Sequence, residues 1–102
     1  MAEFRTVCRV EDLIEGEGRT VEVAGKLIAV FYHGGQYYAL DDVCPHMGAS
    51  LATGYVEKGI VTCPWHAWRF RLADGAWADS PHVKTGCCPV RVENGEVQVQ
   101  VP

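Results

Sequence analysis

Two short segments, each pairing a cysteine with a histidine, constrain the fold of this chain more than any other feature. The first is Cys-Pro-His-Met-Gly at positions 44–48, and the second is Cys-Pro-Trp-His at positions 63–66. Thiolate and imidazole donors suit a zinc ion or an iron–sulfur centre. Zinc fingers usually group like ligands, whereas each segment here mixes the two types. Each segment could therefore give its cysteine to one metal ion and its histidine to a second, which favours a two-metal centre.

The pattern Cys-Pro-His-x-Gly followed by Cys-Pro-Trp-His resembles the signature of Rieske iron–sulfur proteins. In these proteins two histidines replace two cysteines on one iron of a [2Fe–2S] cluster. The resemblance implies one cluster per chain, with one iron held by Cys44 and Cys63. His46 and His66 would hold the iron that takes up the electron. Neutral imidazoles remove negative charge compared with thiolates, so they raise the reduction potential.

The bulk properties describe a small acidic domain. With 102 residues, the chain is expected to form a single domain. Its formal net charge of −4 argues against nucleic acid or an acidic membrane as a partner. The N-terminus shows no signal-peptide pattern, and no apolar run approaches the roughly 18 residues of a membrane span. We therefore expect a cytoplasmic protein without its own membrane anchor.

Strand and turn signals predict an all-β fold. Val90 and Val92 alternate with polar residues before Asn94-Gly95, and valines alternate again after it, which is typical of a hairpin. Similar signals occur at 24–25, 34–35 and 58–59. The resemblance implies an antiparallel sandwich or barrel as a base domain, formed by residues 1–41 and 81–102. A small cluster-binding subdomain, about 42–80, would be inserted into it.

Two positions separate the chain from high-potential Rieske proteins. In those proteins a disulfide joins the two ligand loops, and its cysteines occupy the positions that are here Ala49 and Trp65. The resemblance therefore points to the low-potential branch without this disulfide. That branch includes ferredoxin components of ring-hydroxylating dioxygenases, oxygenase domains and small subunits of nitrite reductases. Ala67 stands where the family usually carries glycine, and its methyl group could crowd the second loop.

Several other residues can be assigned from their types and neighbours. Cys8, Cys87 and Cys88 are expected to be small buried apolar residues. His33 lies in a glycine turn and is expected to be solvated. The resemblance implies a third, proline-bearing loop over the cluster at Ser80-Pro81-His82. The aromatic residues near the second motif are expected to pack the subdomain; they are Trp65, Trp68, Phe70 and Trp77.

The resemblance implies a one-electron carrier rather than an enzyme with its own substrate pocket. It would pass electrons from an NAD(P)H-dependent flavoprotein reductase to a terminal oxygenase. An alternative is a Rieske-like small subunit of an assimilatory NAD(P)H nitrite reductase, which would bind the large subunit. A third interpretation, from a different class, is a zinc-stabilised β interaction module. The sequence does not distinguish the first two systems, and it does not identify the oligomeric state.

Overall fold

Short antiparallel strands joined by tight turns make up the described part of the chain. The computed structural model describes residues 3–23, 25–42, 50–63, 69–78, 80–84 and 86–101. Two single turns of 3-10 helix, Val10–Asp12 and Leu51–Thr53, interrupt the strands. The strands are β1 (Glu3–Arg9), β2 (Gly18–Val23), β3 (Lys26–His33), β4 (Gln36–Asp41), β5 (Tyr55–Glu57), β6 (Ile60–Thr62), β7 (Arg69–Arg71), β8 (Ala76–Trp77), β9 (Ser80–Lys84), β10 (Cys87–Cys88), β11 (Val90–Glu93) and β12 (Glu96–Val101).

The strands form three sheets, and every pairing is antiparallel. The terminal sheet has the order β1-β12-β11 and joins the two ends of the chain. The central sheet has the order β10-β4-β3-β2, and the outer sheet runs β5-β6-β7-β8-β9. The predicted all-β fold is therefore confirmed.

Hairpin turns with left-handed backbone fix the register of these sheets. Asn94 and Gly95 have φ angles of 54° and 76°, so the predicted turn aligns Glu93 opposite Glu96. Lys58 and Gly59 show the same pattern, with φ angles of 53° and 77°, between β5 and β6. Two consecutive positive φ angles match the twist of the flanking strands and favour glycine or asparagine. Lysine at position 58 is the unusual choice.

The central sheet is covered on both faces, and β3 shows this most clearly. All four residues from Ile28 to Phe31 are fully buried. Because successive side chains in a strand point to opposite faces, Ala29 and Phe31 pack towards the outer sheet. Ile28 and Val30 pack towards the terminal sheet. An uninterrupted apolar run is what a strand buried on both faces requires.

Two hydrophobic cores result, one on each side of the central sheet. The core next to the terminal sheet includes Cys8, Ile28, Val30, Ala39, Val97 and Val99. The core next to the outer sheet includes Phe31, Leu40, Leu51, Val61, Phe70 and Leu72. Burying each of these larger side chains stabilises the fold by about 2 kcal/mol.

The structure corrects two of the sequence predictions in this region. Cys8 and Cys88 are buried as expected, but Cys87 is exposed. Adjacent strand residues face opposite sides, and Cys87 lies on the edge strand β10 of the central sheet. Residues 80–82, predicted to form a loop, belong to strand β9 at the edge of the outer sheet. Proline is compatible with an edge strand because its missing N–H need not serve a neighbour.

Among the aromatic residues near the second motif, Phe70 and Trp77 confirm the predicted packing role. Phe70 is fully buried in the core beside the outer sheet, and the partly buried Trp77 packs against that core. Trp65 and Trp68 lie outside the described residues. Within the described ranges, neither helical turn is long and apolar enough to cross a membrane.

Candidate metal centre

Cys63 is the predicted ligand that the structure describes. It follows directly after β6 and is 1% exposed, packed in the core beside the outer sheet. Its position at the end of a short strand aligned by two neighbours fixes the start of the second motif. The other three predicted ligands, Cys44, His46 and His66, lie outside the described residues. What the structure adds for them is the geometry of the flanking segments.

The segment that contains the first motif is preceded by the buried carboxylate of Asp42. Asp42 is 4% exposed. Its Oδ1 accepts hydrogen bonds from the Ser50 hydroxyl at 2.8 Å and from the Ala52 amide at 3.0 Å. The Leu51 amide donates to the Asp42 carbonyl at 2.7 Å. The segments before and after the first motif are therefore held together by hydrogen bonds.

Asp42 has a second set of partners in the central sheet. The Thr20 hydroxyl donates to Oδ2 at 3.3 Å, and the Asp42 amide donates to the Leu27 carbonyl at 3.1 Å. A buried carboxylate is tolerated only when its oxygens are hydrogen-bonded. Here the donors come from β2 and from the segment after the first motif, so Asp42 ties that segment to the central sheet. No sequence motif identified this residue; its position two residues before Cys44 was the available signal.

The second motif is held by strand pairing. Thr62 of β6 lies directly opposite Arg69 of β7, so residues 64–68 connect the ends of two adjacent strands. The ladder continues through Val61 opposite Phe70, and both of these side chains are fully buried. Pairing and burial together set where the second motif leaves and re-enters the outer sheet.

The flanks of the two motifs pack against each other. Gly54 ends the helical turn that follows the first motif, and a Cβ built there would lie 2.1 Å from the Thr62 carbonyl oxygen. Only glycine permits this approach. Leu51, Ala52 and Cys63 belong to the same hydrophobic core. The helical turn after the first motif and the cysteine that starts the second motif therefore lie in one packed unit.

The donor set fits a mixed cysteine and histidine cluster. The chain offers two thiols and two imidazoles in two short segments, and the flanks of both segments meet in the same core. The described thiol, Cys63, is shielded from water, which suits a thiolate that is stabilised by a metal rather than by solvent. These observations support a centre built from both motifs.

His33 was predicted to be a solvated residue of a glycine turn, and this prediction was wrong. Its side chain is 26% exposed and bonded through both ring nitrogens. Nδ1 lies 3.0 Å from Oε2 of Glu15, and Nε2 accepts a hydrogen bond from the Gly59 amide at 3.0 Å. No periodicity or motif in the sequence predicts these contacts, because their partners are 18 and 26 residues away.

The remaining described cysteines have thiols with raised pKa values. Burial raises the pKa of the Cys8 and Cys88 thiols, and it also raises the pKa of Cys87. A thiol with a raised pKa is a poor nucleophile and a poor metal ligand at neutral pH. None of the three is adjacent to the two motifs in sequence.

Comparison with known proteins decides the family. The model of the Rieske [2Fe-2S] domain matches residues 3–99. The chain belongs to the Rieske family. Its cofactor is therefore a Rieske-type [2Fe–2S] cluster, which confirms the resemblance in the sequence and excludes the zinc-stabilised interaction module.

Curated relatives with this domain include small electron-transfer components. The ferredoxin component of the alkene monooxygenase system of Xanthobacter autotrophicus is 33% identical, with 95% of this chain and 80% of the relative covered. The ferredoxin subunit of 3-phenylpropionate/cinnamic acid dioxygenase of Escherichia coli strain K12 is 37% identical, with 93% and 91% covered. Other relatives are much longer: the chain spans 13% of apoptosis-inducing factor 3 of Mus musculus.

Solved structures agree with this fold. A putative NADH-dependent nitrite reductase small subunit from Mycobacterium tuberculosis superposes with a TM-score of 0.92 at 30% identity, covering 100% of this chain and 97% of that one. A chain in a complex of reduced oxygenase and oxidised ferredoxin of carbazole 1,9a-dioxygenase gives a TM-score of 0.85 at 37% identity, covering 94% and 91%.

Proposed function

We propose that this protein is a Rieske-type ferredoxin, a one-electron carrier that links an NAD(P)H-dependent flavoprotein reductase to a terminal oxygenase. The observation that carries the proposal is the mixed ligand set in a chain that matches the Rieske domain over residues 3–99. The similarity to ferredoxin components of an alkene monooxygenase and a dioxygenase supports the oxygenase system. We place the protein in the cytoplasm, where such reductases find NAD(P)H.

Each predicted ligand has a role in this proposal. Cys44 and Cys63 would hold one iron, and His46 and His66 the other. When bound, the cluster supplies a single reversible electron at the iron with neutral ligands. The contribution of the chain is to hold the four donors, to bury the cysteine side, as at Cys63, and to keep the two motifs in fixed relation through Asp42 and Gly54.

The proposed division of the chain follows the sheets. Residues 1–41 and 81–102 would be the base domain and about 42–80 the cluster-binding subdomain. The central and terminal sheets use strands from both ends of the chain, and β5 to β8 of the outer sheet come from its middle. Strand β9, Ser80–Lys84, pairs with the outer sheet, which favours extending the subdomain to residue 84.

A second candidate function is the small subunit of an assimilatory NAD(P)H nitrite reductase. It is favoured by the TM-score of 0.92 to the nitrite reductase small subunit from Mycobacterium tuberculosis, over the full length of this chain. In that case the partner is the reductase large subunit, and the cluster would pass electrons within one enzyme complex. Fold and ligand set are common to both candidates, so the partner decides between them.

The test is reconstitution with purified partners. Holo protein is added to a flavoprotein reductase and a terminal oxygenase encoded beside its gene, and oxygenase turnover with NAD(P)H is followed. We expect turnover that depends on the holo protein and is absent with the cluster-free Cys63→Ser variant. Turnover only with a sirohaem-containing large subunit would favour the nitrite reductase. Failure of the holo protein to accept electrons from either system would contradict both.

A measurement of the midpoint potential complements this test. Rieske centres span about −150 to +300 mV, and Ala49 and Trp65 exclude the disulfide of the high-potential branch. We expect a midpoint of about −150 to −100 mV at neutral pH, near the bottom of that range. A midpoint above about +100 mV would contradict the assignment to the low-potential branch.

A further inference from the structure

A chain of hydrogen bonds joins three separate segments through the imidazole of His33. Glu15 lies between β1 and β2, His33 ends β3, and Gly59 lies in the turn between β5 and β6. The Gly34 amide donates to Oε1 of Glu15 at 3.0 Å, while Oε2 of the same carboxylate faces Nδ1 of His33. Glu15 is thus fixed from two sides, and it orients the ring whose opposite nitrogen reaches Gly59.

These bonds require one protonation state of the ring. The Gly59 amide is a donor, so Nε2 must present its lone pair. The ring proton of a neutral imidazole is then on Nδ1, where it is donated to the Glu15 carboxylate. A doubly protonated ring would point an N–H at the Gly59 N–H and lose that bond, while its contact with Glu15 would persist as an ion pair.

Gly59 is a sensitive point of the outer sheet. Strand β6 starts at Ile60, directly after it, and Cys63 follows directly after that strand. The Gly59 carbonyl also accepts a hydrogen bond from the Leu72 amide at 2.9 Å, just beyond β7. Gly59 therefore fixes the ends of β6 and β7 that lie farthest from residues 64–68, and a three-residue strand transmits its position to Cys63.

We propose that His33 is a positioning residue for the cluster: its imidazole anchors the β5–β6 turn to the end of β3 and thereby sets the position of Cys63. The inference rests on the proposed role of Cys63 as a ligand. It adds a contact remote from the four ligands to the proposed electron carrier.

The charged groups around the ring are few in the described segments. Glu15 contacts it, and Glu17 lies on the same connection. Glu57 and Lys58 flank the turn that contains Gly59. Tyr32 and Tyr37 stack on each other at the same end of β3 and β4, with ring centroids 4.8 Å apart. Side chains of Glu15 and His33 are 55% and 26% exposed, so solvent screening limits what their pairing contributes to stability.

The experiment compares His33→Gln and His33→Phe with the wild-type holo protein. Glutamine keeps an acceptor near the position of Nε2, and phenylalanine has no acceptor. Hydrogen–deuterium exchange of peptides covering residues 56–63, corrected for intrinsic exchange, measures whether the hydrogen bond from Gly59 to His33 still protects the turn. Electron paramagnetic resonance of the reduced cluster and its midpoint potential measure any change at the cluster. Glu17→Gln serves as a control that removes a nearby charge outside the hydrogen-bond chain.

In His33→Phe we expect protection of this segment to fall about tenfold relative to the wild type, the effect of one lost hydrogen bond. The resonance spectrum and the midpoint potential of this variant should shift as well. His33→Gln should keep the protection and the spectrum of the wild type, and Glu17→Gln should match the wild type.

Three results would overturn the proposal. The first is unchanged protection in His33→Phe, which would mean that the anchor does not hold the turn. The second is lost protection with an unchanged spectrum and potential, which would separate the turn from the cluster. The third is a glutamine variant that behaves like the phenylalanine variant. None of these would affect the reconstitution with redox partners, which tests the proposed function independently.

Discussion

The two faces of the central sheet are covered in different ways. On one face the terminal sheet uses long strands: β1 has seven residues and β12 has six, paired along their length. On the other face four of the five strands of the outer sheet have only two or three residues. The terminal sheet thus has many ladder hydrogen bonds per strand, whereas the outer sheet has few.

The outer sheet therefore needs contacts beyond its own strand pairing to stay attached to the rest of the molecule. Strands of two or three residues are marginal alone, and the outer sheet is attached through particular contacts. These are the buried Asp42 carboxylate, the His33 bond to Gly59, and the core around Phe31 and Phe70. Because both ligand motifs flank this layer, metal binding adds to its stability. We therefore expect the terminal and central sheets to fold largely through their own hairpins and the outer sheet to depend on the cluster.

Loss of the cluster gives the largest expected effect and tests this comparison at once. In Cys63→Ser the cluster should be lost, because a ligand is replaced. Hydrogen exchange in residues 55–84 should then accelerate by at least about 100-fold, equivalent to about 3 kcal/mol, while β3, β4 and β12 keep most of their protection. Segment-resolved exchange measured by mass spectrometry checks this.

The matched control is Cys88→Ser, which changes a buried cysteine beside the terminal sheet. This variant should keep its iron and the protection of the outer sheet. Equal loss of protection in all three sheets of Cys63→Ser would show that the sheets fold as one unit. It would contradict the proposed difference in stability between the terminal sheet and the outer sheet.

A second pair of variants makes the same chemical change in each layer. Val61 and Val97 are both fully buried, one in β6 and one in β12. Val61→Ala and Val97→Ala should each lower the free energy of unfolding by about 2 kcal/mol, since both lose apolar contacts and leave a cavity. Only Val61→Ala should accelerate the loss of cluster absorbance under native conditions. Similar rates of loss in the two variants would argue against separate stabilities.

The neighbouring residues Asp41 and Asp42 allow a sharper test of the attachment. Asp42→Ala leaves the Ser50 hydroxyl and the Ala52 amide without their acceptor, which should cost about 2 kcal/mol and weaken cluster retention. Asp41 pairs with Lys26 at 3.0 Å near the surface, so Asp41→Asn should cost about 1 kcal/mol or less. Chemical denaturation of both holo variants measures the difference. A larger effect at Asp41 would contradict the role given to Asp42.

Thiol reactivity should show the smallest effects. Burial raises the pKa of Cys8 and Cys88, so both stay protonated at neutral pH and should react slowly with iodoacetamide. Cys87 is exposed and should be alkylated first, although its own raised pKa slows it and its rate should increase as the pH rises. After cluster removal, Cys44 and Cys63 should become reactive while Cys8 and Cys88 stay protected. Peptide mass spectrometry identifies each site. Rapid labelling of Cys8 would contradict a stable core next to the terminal sheet.

The sequence predicted the features that depend on local chemistry. The Asn94-Gly95 hairpin and the turns at 34–35 and 58–59 followed from turn preferences. The ligand set also followed from local spacing, and its assignment stays a prediction for all four residues. Contacts between distant segments could not be predicted, because nothing in the sequence near His33 or Asp42 indicates Gly59 or Ala52 as a partner. The exposure of Cys87 was missed because it depends on sheet order.

The central claim is that each of the two motifs gives one cysteine and one histidine to a single [2Fe–2S] cluster beside the outer sheet. Pulsed electron paramagnetic resonance of the reduced protein tests it most directly, because nitrogen couplings count the imidazoles bound to iron. If His46 and His66 both bind iron, we expect couplings from two imidazoles in the wild type and from one in His46→Cys or His66→Cys. Wild-type protein without such couplings, or two couplings retained in either variant, would contradict it.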